Sequence, residues 1–257
     1  MEFLLYIAAG AGVGFIVGIT GIGGGALMTP LLLLFGFPPQ IAVGTDLMYA
    51  GITKAGGAYS HHRQKHVRWS VVKLLAIGSI PAALLTGLTL KTVFQHPEQY
   101  ALLLRNALGV MLLLTALSIL FRNRIQKLTS GIGSSPLARF RPHATLLMGV
   151  LLGVFVTLSS VGAGAIGTAI LMLLYPAMRS AHVVGTDIAH AVPLTLCAGL
   201  MHMVLGNVDF LLLGALLVGS LPAIHFGSHI SRKVPESLLK TVLASLLMAL
   251  GAKYAFF

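Results

Sequence analysis

Residues 44–69 read GTDLMYAGITKAGGAYSHHRQKHVRW, and residues 185–210 read GTDIAHAVPLTLCAGLMHMVLGNVDF. A single offset of 141 positions lays Gly44-Thr45-Asp46 on Gly185-Thr186-Asp187, His61 on His202, Val67 on Val208 and Trp69 on Phe210. At the same offset Gly21 and Gly23 meet Gly162 and Gly164, and Gly78-Ser79-x-Pro81-Ala82 meets Gly219-Ser220-x-Pro222-Ala223. A three-residue slip then aligns Pro97-Glu98 with Pro235-Glu236 ahead of the last apolar segment. The matched residues are mostly Gly, Thr, Asp, His and Pro, types that a merely apolar composition would not align in order. The chain is therefore read as a duplication, with repeat 1 over 1–121, a linker over 122–143 and repeat 2 over 144–257.

The composition excludes a soluble domain. Apolar types make up 56% of the 257 residues and Asp, Glu, Lys and Arg only 9%, against roughly 25% charged residues in soluble domains. Apolar stretches close to the ~20 residues that cross a hydrocarbon core recur from Phe3 to Phe257. The expectation is one multi-pass transmembrane domain. Cys197 has no second cysteine to pair with, so it says nothing of redox compartment. The start, MEFLLYIAAGAGVGFIVG, lacks a basic n-region and an A-x-A site, and is read as a retained first helix.

Each half divides into five helical elements, expected at 3–20, 22–36, 41–60, 69–90 and 101–121, and at 144–160, 162–176, 181–203, 208–229 and 237–257. The formal charge of +11 does not call for nucleic acid, because cytoplasmic loops of membrane proteins collect Lys and Arg. Taking the linker as cytoplasmic puts thirteen of the seventeen basic residues on that side, leaving Lys91, Arg105 and Lys253 opposite and Lys54 in the membrane. Five elements per half invert the second half relative to the first. The fold class is thus an all-α membrane protein of two inverted-topology repeats, with broken or re-entrant Gly-rich helices at the centre, in the cell (inner) membrane. In such transporters the substrate site lies at the midplane between the repeats.

Candidate site residues follow from what a bilayer forbids. Irregular backbone at membrane depth survives only where protein buries it or a cavity receives it. The Gly21, Gly23, Gly24 and Gly25 run and its echo at Gly162 and Gly164 each lead into a helix, exposing N–H groups at the positive end of its dipole, an anion site. The competing reading is glycines that only let helices pack closely. Asp46 and Asp187 are carboxylates well inside apolar elements, where an unpaired charge is costly. Each is read as an acceptor of backbone N–H groups, a carrier of a coupling proton, or a partner of Lys54. Lys54, the one deep basic residue, is a counter-charge for an anion or else a salt-bridge or snorkelling residue. Thr45 and Thr186 offer hydroxyls to a cavity or to their own helix, and His190 is the histidine best placed to face one. His61 and His202 are read as caps on helix-end carbonyls. His61-His62-x-x-x-His66 and the His225, His229 pair have metal-compatible spacing without a nearby carboxylate or Cys, so no metal and no cofactor is expected. No H-E-x-x-H, Walker loop or G-x-S-x-G motif is present, and the chain is not read as an enzyme.

The GITGIGGGALMTPLLL segment, residues 18–33, the GTDLMYAGITKAGGAYSHHRQKHVRW stretch and their weaker second copies resemble the TauE/SafE family of sulfite exporters, also called the toluene sulfonate uptake permease family. The resemblance spans essentially the whole chain and is best in the first half. It implies movement of sulfite or organosulfonates across the bacterial inner membrane without ATP. The family pattern covers Gly21, Gly23 to Gly25, Pro30, Gly44-Thr45-Asp46, and His61-x-Arg63 before Val67 and Trp69. Members often carry an acidic residue before that tryptophan. Arg68 stands there in this chain, and Asp209 holds the place in the second half.

Together these readings predict a secondary transporter of small sulfur-containing anions working by alternating access, with export driven by protons or the membrane potential as the default. Its partners are a small anionic substrate and the lipid bilayer, with no nucleic acid and with a homodimer as a candidate assembly. The alternatives are a divalent-metal exporter using the histidines and a non-transporting membrane scaffold or sensor.

Overall fold

A computed structural model describes residues 2–20, 25–129, 140–230 and 235–256. Among them the chain forms ten helices and no strand: α1 (Glu2–Thr20), α2 (Gly25–Leu34), α3 (Pro39–Arg63), α4 (Trp69–Val93), α5 (Glu98–Thr129), α6 (Arg141–Ser159), α7 (Ala165–Leu174), α8 (Ser180–Val204), α9 (Phe210–Ile230) and α10 (Glu236–Phe256). Six are long and apolar enough to cross a membrane: α4, α5 over Glu98–Arg122, α6, α8, α9 and α10. The chain is a multi-pass, all-helical membrane protein.

Three elements depart from the sequence expectation in two ways. α2 and α7 have 10 residues each, not the longer stretches expected at 22–36 and 162–176, and at 1.5 Å per residue span about 15 Å. That is half of a ~30 Å core. α7 is shortened because its lead-in leaves the helical region of backbone space: Ser160, Gly162 and Gly164 have φ of 59°, 125° and 143°. The second departure is α5, which continues past the expected end at 121 to Thr129. Its added residues, such as Arg, Gln, Lys and Leu, are good helix formers. Residues 130–139 of the expected linker lie outside the described residues.

The two halves interleave. α1 packs on α9 and α6 packs on α4, while α3 pairs with α8 and α5 with α10. Exchanging the halves leaves this pattern unchanged. Contacts at the glycines give the directions. Gly10 lies on Leu216 and Gly14 on Ser220, so α1 and α9 run parallel; Gly51 lies on Leu196 and Gly57 on Ile188, so α3 and α8 run antiparallel. A Cβ on Gly219 would collide with the Ile7 carbonyl oxygen, and one on Gly78 with that of Leu146. The repeated Gly-Ser-x-Pro-Ala motif therefore marks two equivalent places where a helix of one half closes on the other.

Polarity runs inside out. Leu4, Leu85, Leu211 and Phe226 are exposed, whereas Thr29, Thr45, Asp46, Thr186, Asp187, His190 and His202 are fully buried. A soluble protein cannot afford that exterior, but acyl chains receive it without cost.

Candidate functional site

The break ahead of α7 is the site's floor. α6 ends when Ser160 turns left-handed, its N–H bonded to the Val156 carbonyl. The backbone then runs through Val161-Gly162-Ala163-Gly164 before α7 starts. Gly167 and Thr168 donate their N–H groups to the Gly162 and Gly164 carbonyls at 3.1 and 2.9 Å. The N–H groups of residues before them in the first turn have no helical acceptor, as at any helix start. They point into the break at the positive end of the α7 dipole.

Lys54 reaches this backbone from α3. Its side chain is buried, and Nζ donates to the Ala163 carbonyl at 3.0 Å. Its electrostatic interactions are with Asp187 first and Asp46 second. Lys54 therefore joins the α7 break to both carboxylates, using a carbonyl and not a carboxylate as its acceptor.

The two aspartates share a motif and a burial but not an environment. Asp46 Oδ2 accepts the Thr29 backbone N–H at 3.1 Å and the Thr29 hydroxyl as well, which ties α3 to α2. The Ser160 side chain lies near this carboxylate, and both Asp46 Oδ1 and the Ser160 hydroxyl lack a hydrogen-bond partner among the described residues. Asp187 is fully buried, with neither oxygen hydrogen-bonded. Its Oδ1 lies against Gly167, where a Cβ would collide with it.

A cavity of about 240 Å³ opens at this point. Gly164, Ala165 and Thr168 at the start of α7, Asp187 of α8, Ser118 and Arg122 of α5 and Lys240 of α10 line it. A small oxyanion fits that space. Of the residues expected at a site, the structure brings together Lys54, Asp46, Asp187, Gly162 and Gly164. Gly21, Gly23 and Gly24 lie outside the described residues, and Gly25 begins α2. Ser160 and Ala163 belong to the site through a side chain and a carbonyl. Their only signal in the sequence was membership of the irregular segment.

The remaining candidates sit at joints between the halves. Thr45 Oγ1 accepts the Asp209 N–H at 3.1 Å and Thr186 Oγ1 accepts the Arg68 N–H at 3.0 Å, so neither hydroxyl turns to the cavity or to its own helix. Beside them a Cβ on Gly44 would strike the Asn207 carbonyl, and one on Gly185 would lie 3.0 Å from that of His66. Each residue of the Gly-Thr-Asp motif in the first half thus has its own neighbour: loop carbonyl, loop N–H and α2. His190 is fully buried away from the cavity lining, with Nε2 2.8 Å from Ser79 Oγ. Its counterpart under the repeat, Tyr49, lies against Ser220, the counterpart of Ser79. His202 donates from Nε2 to the Thr157 carbonyl at 2.9 Å and accepts from Asn207, which also donates to the Tyr100 hydroxyl. The His61 ring instead lies tilted against that of His66, with centroids 5.8 Å apart. His225 and His229 are adjacent on α9, and His229 Nδ1 bonds the His225 carbonyl. No group of three or more His, Cys, Asp or Glu suited to a metal occurs among the described residues.

Comparison with known proteins agrees with a membrane transporter. The family model described as sulfite exporter TauE/SafE matches residues 6–254. The probable membrane transporter protein YjnA of Bacillus subtilis (strain 168) is 42% identical over 251 residues, covering 96% of this chain and 97% of that one. The probable membrane transporter protein YdhB of the same organism is 29% identical, covering 90% and 91%. The probable membrane transporter protein MJ0441 of Methanocaldococcus jannaschii is 27% identical, covering 97% and 96%. No solved structure matches the chain.

Proposed function

The chain belongs to the sulfite exporter TauE/SafE family, and from that premise we propose that this membrane transporter moves small sulfur-containing anions, sulfite or organosulfonates, by alternating access. The observation that carries the proposal is the meeting of Lys54 with the α7 break beside a cavity of about 240 Å³. An ammonium, the first-turn N–H groups of α7 and the dipole behind them supply positive potential with no positive ion fixed in place. Arg122 and Lys240, which also line the cavity, add to it. A sulfonate or sulfite offers three oxygens to such donors.

The antiparallel pairing of α3 with its sequence counterpart α8 supports two halves inverted in the membrane. In that arrangement rocking one half on the other would expose the cavity alternately. The excess of basic residues on the linker side supports a cytoplasmic linker in a cell inner membrane.

The test is thermal stabilisation of the purified protein in detergent by sulfite, thiosulfate, sulfoacetate and taurine, with chloride, sulfate and Zn²⁺ as comparators. A ligand that binds only the folded state raises stability by mass action. Selective stabilisation by a sulfur oxyanion or sulfonate is the expected result. Stabilisation by Zn²⁺ alone, in protein freed of any His tag, would overturn the reading.

A further inference from the structure

Asp46 and Asp187 occupy equivalent places in the two repeats, yet only one of them is occupied as an acceptor. Asp46 receives two hydrogen bonds from Thr29. Protonating it would weaken an acceptor that holds α2 to α3. Asp187 has no such bond to lose, since both of its oxygens are buried and unpartnered among the described residues. It is also the carboxylate that lines the cavity, together with Gly164, Ala165 and Thr168. Buried polar atoms in native structures are paired as a rule, and an exception needs a reason.

The charges nearby supply one. From α3 come Lys54 and Asp46, from α5 Arg122 and from α10 Lys240, with His190 on α8 itself. α7 contributes no titratable group, and the cation whose charge acts on Asp187 is Lys54. Around the α7 break, therefore, two carboxylates already share the single ammonium of Lys54. An anion arriving there adds a third negative charge in a low-dielectric setting, where like charges repel strongly.

Resting on the transporter reading above, we propose that Asp187 takes up a proton with each anion that enters the cavity, so that anion and proton load together. The proton comes from water on the loading side and converts the Asp187 carboxylate to the neutral acid. It returns to water when the anion leaves on the other side. For a monovalent anion the loaded and empty carriers then have equal charge. Transport becomes electroneutral, and chemical gradients of anion and proton set its direction in place of the membrane potential.

The experiment measures proton uptake on anion binding in weakly buffered detergent solution, with methanesulfonate and thiosulfate as probes because neither titrates near neutral pH. The wild-type chain is expected to take up about one proton per bound anion, and its affinity to fall about tenfold per pH unit above the carboxyl's titration. Asp187→Asn is expected to bind without proton uptake and with pH-independent affinity, whereas Asp46→Asn keeps the uptake whatever its affinity. Asp187→Ala, which adds no volume, serves if the Asn variant does not fold. Binding by wild type without proton uptake overturns this proposal and leaves the anion reading standing, and uptake that persists without the Asp187 carboxyl also overturns it. Binding of neither probe to wild type overturns both.

Discussion

The backbone N–H of Arg68 donates to the hydroxyl of Thr186, 118 residues away, at 3.0 Å. The same bond recurs between Asp209 and Thr45 at 3.1 Å, so each half of the chain accepts a loop N–H from the other. Thr186→Val should lower stability by about 1 kcal/mol, the net worth of such a bond, and Thr186→Ser should recover most of it. Melting of the purified protein reads the loss. The shift produced by a stabilising anion should be retained in both variants, because neither Thr186 nor Arg68 is among the residues that line the cavity.

Lys54→Met keeps the length of the side chain and removes the ammonium that reaches Ala163. Charge-assisted hydrogen bonds are about twice as strong as neutral ones, so anion affinity should fall by about tenfold or more. The fold should persist, since the change also removes a buried charge and its desolvation cost. Titration of the melting temperature with thiosulfate checks it. Undiminished affinity would remove Lys54 from the site.

Gly167→Ala tests the seat of Asp187. A Cβ there collides with Oδ1, and displacing a carboxylate wedged between helices should cost about 1–3 kcal/mol and impair transport in proteoliposomes. Gly12→Ala is the control, because a Cβ at Gly12 meets nothing within 4 Å. Its transport should match wild type.

Replacing both His225 and His229 with Ala should leave transport unchanged. The two rings are 4.7 Å apart on α9, but neither lines the cavity. Abolished transport together with a lost response to Zn²⁺ would favour a metal substrate.

Much of this was legible before any coordinates. The repeated Gly, Asp and Pro positions located ten elements, because a bilayer punishes polar residues that lack a structural or functional reason. What stayed hidden was partnership. Thr45 and Thr186 read as hydroxyls for a cavity or for their own helix, since nothing local reveals that a loop 164 or 118 residues distant supplies their donor. His190 likewise has its partner on α4. The two Gly-Thr-Asp motifs look alike, and they diverge only because Asp46 meets Thr29 where Asp187 meets Gly167. The break ahead of α7 was legible in Gly162 and Gly164, but the helix's 10-residue length was not: apolar composition measures how long a segment can remain in lipid, not how much of it stays helical beside a left-handed Ser160.

The packing of α1 on α9 has a consequence for biogenesis. At about 5–20 residues per second of synthesis, α9 follows α1 out of the ribosome after roughly 10–40 seconds. Throughout that interval the glycine face of α1, shaped for a backbone from the far half of the chain, has only lipid or the insertion machinery against it. A chain halted after the first repeat would leave that face uncovered, and membrane quality control would meet it as an orphan helix.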